Sequence, residues 1–117
     1  MKTYRGDPID PNRITIQTEG VPGRTSLTPA ASQRIINHSP DGFSWGFRGS
    51  GPNQLSLALL IDFFDGDDRK AQFYYKDFTA RTIAYLASDK PWVLDSSDIE
   101  ASLANIDEAK LPRSARV

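Results

Sequence analysis

The chain has 117 residues, of which 38% are hydrophobic and 25% are charged, and its net charge is −1. This size and composition predict one globular domain over residues 1–117, and the charge disfavours nucleic acid as a partner. The sequence contains no cysteine, which excludes thiol catalysis and cysteine-bound zinc. It also lacks an apolar run of the roughly 20 residues that cross a bilayer, and it lacks a signal peptide, so we expect a cytoplasmic protein without membrane contact.

The first third of the chain is expected to be irregular at its start and β-rich thereafter. Residues 1–12, which include two prolines, are predicted to form an irregular arm. Residues 13–17 alternate polar and β-branched apolar side chains, the pattern of a half-buried strand, and residues 24–27 are expected to return as its partner. Thr28 and Pro29 then predict the start of a short helical turn, with the threonine as its N-cap.

Residues 33–48 are interpreted as a β-hairpin. The sequence Ser-Pro-Asp-Gly at residues 39–42 has the residue preferences of a type I turn. After this turn Phe43, Trp45 and Phe47 alternate with serine, glycine and arginine, which places the three rings on one face of a strand. Such a face is typical of a hydrophobic core, and the alternative is a platform on which nucleobases stack.

Three helices and one further strand are predicted in the second half of the chain. Residues 52–64 carry apolar side chains all the way round a helix, which is typical of a helix buried on several sides. Residues 67–87 form the second predicted helix, and residues 92–94 form a short strand. Ser97 and Glu100 have the spacing of a capping box at the start of a third helix.

These elements together predict an α+β fold, in which a small antiparallel sheet packs against a layer of two to three helices. The tail over residues 110–117 is expected to be frayed. The outer face of the second helix carries small and apolar residues that permit close approach of another chain, so we expect a partner or homo-oligomer surface there. The residues of this predicted surface are Phe73, Asp77, Ala80 and Ala84.

Residues 37–54 concentrate the unusual chemistry of the chain, since they hold its sole histidine and four of its eight glycines. Residues 38–55 follow the pattern His-Ser-Pro-x-Gly-Phe-x-Trp-Gly-aromatic-x-Gly-Ser-Gly-Pro-x-Gln-Leu. This pattern resembles an uncharacterised family, known only as a domain of unknown function, of bacteria, archaea, phages and plasmids. The resemblance implies a shared fold, a bacterial host and a shared site around residues 49–52, and it implies no activity. The chain departs from the pattern of that family at Phe47, Arg48 and Asn53.

The turn at residues 49–52 has two interpretations. Glycines before a helix let backbone N–H groups converge on an anion, and Arg48 can supply a forked donor. Alternatively, the turn only caps the helix, with Ser50 or Gly51 as the cap and Gln54 reaching back to an orphan N–H. His38 is likewise either a general base or part of a turn that satisfies its own backbone. The predicted ligand- or partner-binding residues are His38, Ser39, Trp45, Arg48, Gly49, Ser50, Gly51 and Gln54, and we predict no catalytic residue, metal ligand or cofactor.

Three functions remain open from the sequence. The leading hypothesis, which follows from the resemblance, is a non-enzymatic binding protein of phages or mobile elements. It would act as an inhibitor or accessory factor in host–phage conflict (anti-defence), by binding a protein or sequestering a small anionic ligand. The first alternative is a small enzyme that acts on a phosphorylated or nucleotide substrate with His38 and the turn at residues 49–51. The second is a structural or oligomeric accessory protein.

Overall fold

The structure is a computed structural model, and it describes residues 1–104 and 106. Within this part of the chain, four strands and four α-helices form an α+β fold, which confirms the predicted fold class. The elements are β1 (Lys2–Gly6), β2 (Ile14–Thr18), β3 (Thr25–Leu27), α1 (Ala30–Ile35), α2 (Ser50–Phe63), α3 (Asp68–Arg81), a short 3-10 helix (Ile83–Tyr85), β4 (Trp92–Asp95) and α4 (Ser96–Leu103).

The sheet is antiparallel throughout, with the strand order β3-β2-β1-β4. The predicted strands at residues 13–17, 24–27 and 92–94 are confirmed as β2, β3 and β4. The prediction of an irregular arm over residues 1–12 is wrong at its start, because Lys2–Gly6 is an inner strand of the sheet. Its residue Tyr4 is fully buried, pairs with both neighbouring strands and donates its hydroxyl to Asp62 Oδ2 at 2.6 Å.

Helix α2 is the central element of the core, as its apolar sequence predicts. Leu55, Leu57, Leu59 and Leu60 are all fully buried, although they point in different directions around the helix. The helix packs against α1 and α3, and its buried residues share one cluster with those of the sheet. The helix ends at Phe63, one residue before the predicted end, and the residues that follow have left-handed φ angles of 54° at Asp65 and 91° at Gly66.

The predicted hairpin over residues 33–48 is wrong. Helix α1 extends to Ile35, and the segment from residue 36 to residue 49 contains no strand. Left-handed φ angles of 100° at Gly42 and 89° at Gly46 interrupt the extended backbone that an alternating strand requires. The three aromatic residues therefore do not share a face: Phe43 and Trp45 are buried, whereas Phe47 is 50% exposed.

The helix boundaries differ from the prediction at several ends. The second helix stops at Arg81 rather than residue 87, so the predicted surface of Phe73, Asp77, Ala80 and Ala84 does not lie on one continuous helix. The N-cap of α1 is Pro29 and not Thr28. The capping box of α4 is formed by Asp95 and Asp98 rather than by Ser97 and Glu100. The tail at residues 110–117 lies outside the described residues.

Among the described residues, none of the helices combines the length and the apolar character that crossing a membrane requires.

Candidate functional site

A polar cluster around Gln54 links three segments of the chain. Gln54 lies on α2 and is fully buried. Its Oε1 accepts the backbone N–H of His38 at 2.8 Å and that of Ser39 at 3.1 Å. Its Nε2 donates to Ser32 Oγ at 2.9 Å and to the carbonyl oxygen of Ile36 at 3.1 Å. The amide is thus satisfied by α1 and the following loop, and not by an orphan N–H at the start of its own helix as the capping interpretation predicted.

His38 is fixed on both its backbone and its ring. The imidazole is half-buried, and its Nε2 lies 2.8 Å from the hydroxyl oxygen of Tyr75 on α3. Burial, followed by the nearby positive charge of Lys76, holds the pKa of His38 below its ordinary value. Tyr75 is a partner that the sequence did not reveal, because the two residues are 37 positions apart and the tyrosine fits a core position equally well.

The start of α2 is determined by close packing. Its N-cap is Gly49, with an extended φ of 170° and no side-chain cap, so neither Ser50 nor Gly51 is the cap. Gly51 is buried against Ser44: a Cβ atom on Gly51 would lie 3.1 Å from the Cβ of Ser44 and 3.3 Å from its backbone nitrogen. Glycine at position 51 therefore permits the 43–47 segment to approach the helix.

Arg48 and Ser50 lie at the surface beside this packed turn. Within residues 1–104 and 106, the guanidinium of Arg48 forms no hydrogen bond or ion pair. Of the predicted binding residues, the structure brings His38, Ser39 and Gln54 together in the buried cluster. It leaves Arg48 and Ser50 accessible to a partner.

Trp45 belongs to the core and also forms the floor of a surface cleft. Its ring is edge-on to that of Trp92, with 5.8 Å between centroids, and its Nε1 donates to the carbonyl oxygen of Ala87 at 3.1 Å. The cleft has a volume of about 240 Å³. It is lined by Pro8, Pro11, Phe43, Ser44, Trp45, Phe47 and Ser88.

The two walls of the cleft come from the loop at residues 7–12 and the segment at residues 43–47. Asn12 joins them, because its Oδ1 accepts the N–H of Phe43 at 2.7 Å and its Nδ2 donates to the carbonyl oxygen of Asp41 at 3.0 Å. Phe47, which lines the cleft, is 50% exposed, and Ile9, between the lining residues Pro8 and Pro11, is 91% exposed. The sequence carries no local signal that the 7–12 loop forms this wall, because its two prolines indicate only irregular structure.

In the described part of the chain, no group of three or more His, Asp or Glu side chains is placed to bind a metal ion.

The family whose description is "Family of unknown function (DUF6166)" matches residues 4–105. The chain belongs to this family. Membership in a family of unknown function is therefore confirmed. The matched range of DUF6166 runs from β1 through α4, so it includes both the Gln54 cluster and the cleft. No curated protein and no solved structure matches the chain significantly.

Proposed function

We propose that this chain is a non-enzymatic binding protein that docks a protein partner on the cleft between the 7–12 loop and the 43–47 segment. The observation that carries this proposal is an apolar cleft with a half-exposed phenylalanine on its rim, next to an accessible arginine. Aromatic and arginine side chains are the residues most enriched at the energetic centres of protein interfaces.

The size and lining of the cleft favour a protein over a nucleotide or another small molecule. Its volume of about 240 Å³ is below the roughly 300–1,000 Å³ of pockets that enclose drug-sized ligands. Five of its seven lining residues are proline or aromatic, and the two polar ones are Ser44 and Ser88. This lining suits one or two apolar side chains that project from a partner surface.

The position of His38 supports a binding role more than an enzymatic one. Its Nε2 is engaged by Tyr75, and its backbone N–H is engaged by Gln54. Neither His38 nor Ser50 is among the residues that line the cleft. The hydrogen bonds of His38 therefore serve to hold the loop on helices α2 and α3, and this supports the non-enzymatic proposal.

Partner capture with a matched control tests the proposal. Tagged wild type, Phe47→Glu and Val93→Glu are purified from the host of origin at equal expression, and the accompanying proteins are quantified by mass spectrometry. Val93 is an exposed apolar residue on β4, so its variant introduces the same charge outside the cleft. We expect one protein to accompany wild type and Val93→Glu and to be lost from Phe47→Glu. Identical protein sets for all three chains, together with equal recovery of a co-expressed untagged copy of the chain, contradict the proposal.

We further propose, from the resemblance noted in the sequence, that this binding acts in host–phage conflict. On that proposal, expression of wild type in a defence-proficient host raises phage plaque counts, and expression of Phe47→Glu does not. Equal plaque counts for the wild type and an empty vector contradict the anti-defence role without bearing on the cleft itself.

A further inference from the structure

We propose that the partner of the cleft is a second copy of this chain, held in a weak two-fold symmetric dimer. The inference rests on the proposed function, since it uses the cleft as a protein-docking surface and names the occupant. In this dimer the 7–12 loop of each copy enters the cleft of the other.

The shape of the surface is self-complementary. A two-fold interface brings the same patch of both copies together, so the patch must carry both a protrusion and a recess that accepts it. Ile9 is the protrusion, because it is 91% exposed and stands between Pro8 and Pro11, which line the cleft. The recess is the cleft itself, whose proline and aromatic walls match an aliphatic side chain.

The charges on the two walls are also complementary to each other. Asp7 and Asp10 are exposed on the 7–12 loop, whereas Arg48 is exposed directly after Phe47 on the opposite wall. A two-fold rotation sets the acidic loop of one copy against the basic rim of the other, twice in each dimer. A second copy therefore carries a charge opposite to that beside each wall.

The protruding loop is held in shape before any association. The Asp7 carboxylate accepts the backbone N–H of Ile9 at 3.0 Å, and the carbonyl oxygen of Asp7 accepts the N–H of Asp10 at 3.0 Å. Asn12 ties the end of the loop to the other wall through Phe43. A loop that is already ordered loses little conformational freedom on docking, which favours association through a small surface.

Sedimentation velocity over about 10–500 μM, a range suited to weak complexes, tests the dimer. We expect the weight-average mass of the wild type to rise from 13.0 kDa toward twice that value. Ile9→Glu and Arg48→Glu each weaken dimerisation at least about tenfold, since they remove the apolar protrusion or reverse the basic rim. Val93→Glu, which changes an exposed apolar residue outside the patch, leaves it unchanged.

A charge-exchange experiment identifies the pairing between the walls. Arg48→Glu and Asp10→Arg should each be monomeric alone, because each homodimer then contains two like-charged contacts. An equimolar mixture should dimerise again, because the mixed dimer restores two opposite-charged contacts. Failure of the mixture to associate, a monomeric wild type at all concentrations, or loss of the dimer only in Phe73→Glu overturns the inference. If the wild type is monomeric while a different protein is lost from Phe47→Glu in the capture experiment, the proposed function stands and only the dimer is refuted.

Discussion

Gln54 and His38 lie 16 positions apart in the chain, yet the Gln54 side-chain oxygen accepts the His38 backbone N–H at 2.8 Å. The same amide also binds Ser39, Ser32 and Ile36, so one buried side chain satisfies polar groups from α1 and the loop that follows it. A glutamine at this position therefore fixes the 36–39 segment on α2 without covalent restraint.

Replacement of this glutamine by methionine, which has a similar size, should lower the free energy of unfolding by about 2–4 kcal/mol. Gln54→Met leaves several buried donors and acceptors without partners, and each such group costs about 1–3 kcal/mol. Urea denaturation followed by circular dichroism measures the change. Asn53→Ala is the control on the same helix, because the Asn53 side chain is only partly buried, and a shift within about 0.5 kcal/mol is expected. Equal stability of Gln54→Met and wild type would show that the amide does not stabilise the loop.

The central position of α2 predicts that Leu59→Asp does not fold. Leu59 is fully buried, and an unpaired carboxylate there costs several kcal/mol against a typical total stability of about 5–15 kcal/mol. Far-ultraviolet circular dichroism and thermal melting test this outcome. Ser50→Asp is the matched control, since Ser50 is exposed at the N-terminus of the same helix, where a negative charge is favourable. A wild-type melting temperature for Leu59→Asp contradicts the assignment of α2 to the core.

Local sequence patterns predicted those elements whose conformation is determined by their own residues. Strand β2 alternates β-branched residues, and α2 has apolar residues on every side, so both are detectable without knowledge of their neighbours. Strand β1 was missed because its five residues show little alternation, and its partner β4 follows more than 80 residues later. Its strand conformation depends on pairing with both neighbours, which is tertiary information.

The sequence singles out residues 37–54, but it does not show which contacts their side chains make. The alternation of Phe43, Trp45 and Phe47 indicates a strand, but two left-handed glycines turn the chain between and before these rings. Gln54 likewise has the sequence position of a capping residue, but the sequence does not show that its hydrogen-bond partners lie in α1 and the loop that follows it. The recess beside Trp45 was not predictable, because its second wall comes from a loop more than 30 residues earlier.

The stability of the protein should fall in mildly acidic solution because of His38. Since the pKa of His38 is lowered in the folded state, the unfolded chain binds a proton first, near its ordinary pKa of about 6.5. The contribution of neutral His38 to the free energy of unfolding is therefore complete above about pH 6.5. It is lost as the pH falls through the pKa of His38 in the folded state. Denaturation curves at several pH values should show that the free energy of unfolding falls less in His38→Asn than in wild type over this pH range.

Magnetic resonance can measure this pKa directly, because His38 is the only histidine of the chain. Burial is the main cause of the lowered value, so Tyr75→Phe should keep the pKa below about 6.5. Lys76→Gln removes the second cause and should raise the pKa toward its ordinary value. A wild-type titration midpoint at or above about 6.5 contradicts the described environment of His38.

The contact between Gly51 and Ser44 predicts a coupling between the two positions in a double-mutant cycle. In the wild-type background Gly51→Ala should destabilise the protein, because the new Cβ atom would lie 3.1 Å from the Ser44 Cβ and closer still to its hydroxyl oxygen. In a Ser44→Gly background only the backbone nitrogen of residue 44 stays close to the new Cβ atom, at 3.3 Å, so the loss should be smaller, and the lower unfolded-state entropy of alanine offsets it further by about 0.4–1 kcal/mol. Chemical denaturation of the four chains gives the coupling between the two positions. Gly49→Ala is the control, since its Cβ atom would lie too close only to the half-exposed ring of Phe47, which can move aside, and in ordinary contact with Pro52 at 3.9 Å. Equal effects of Gly51→Ala in both backgrounds would show that the glycine is not required by the approach of Ser44.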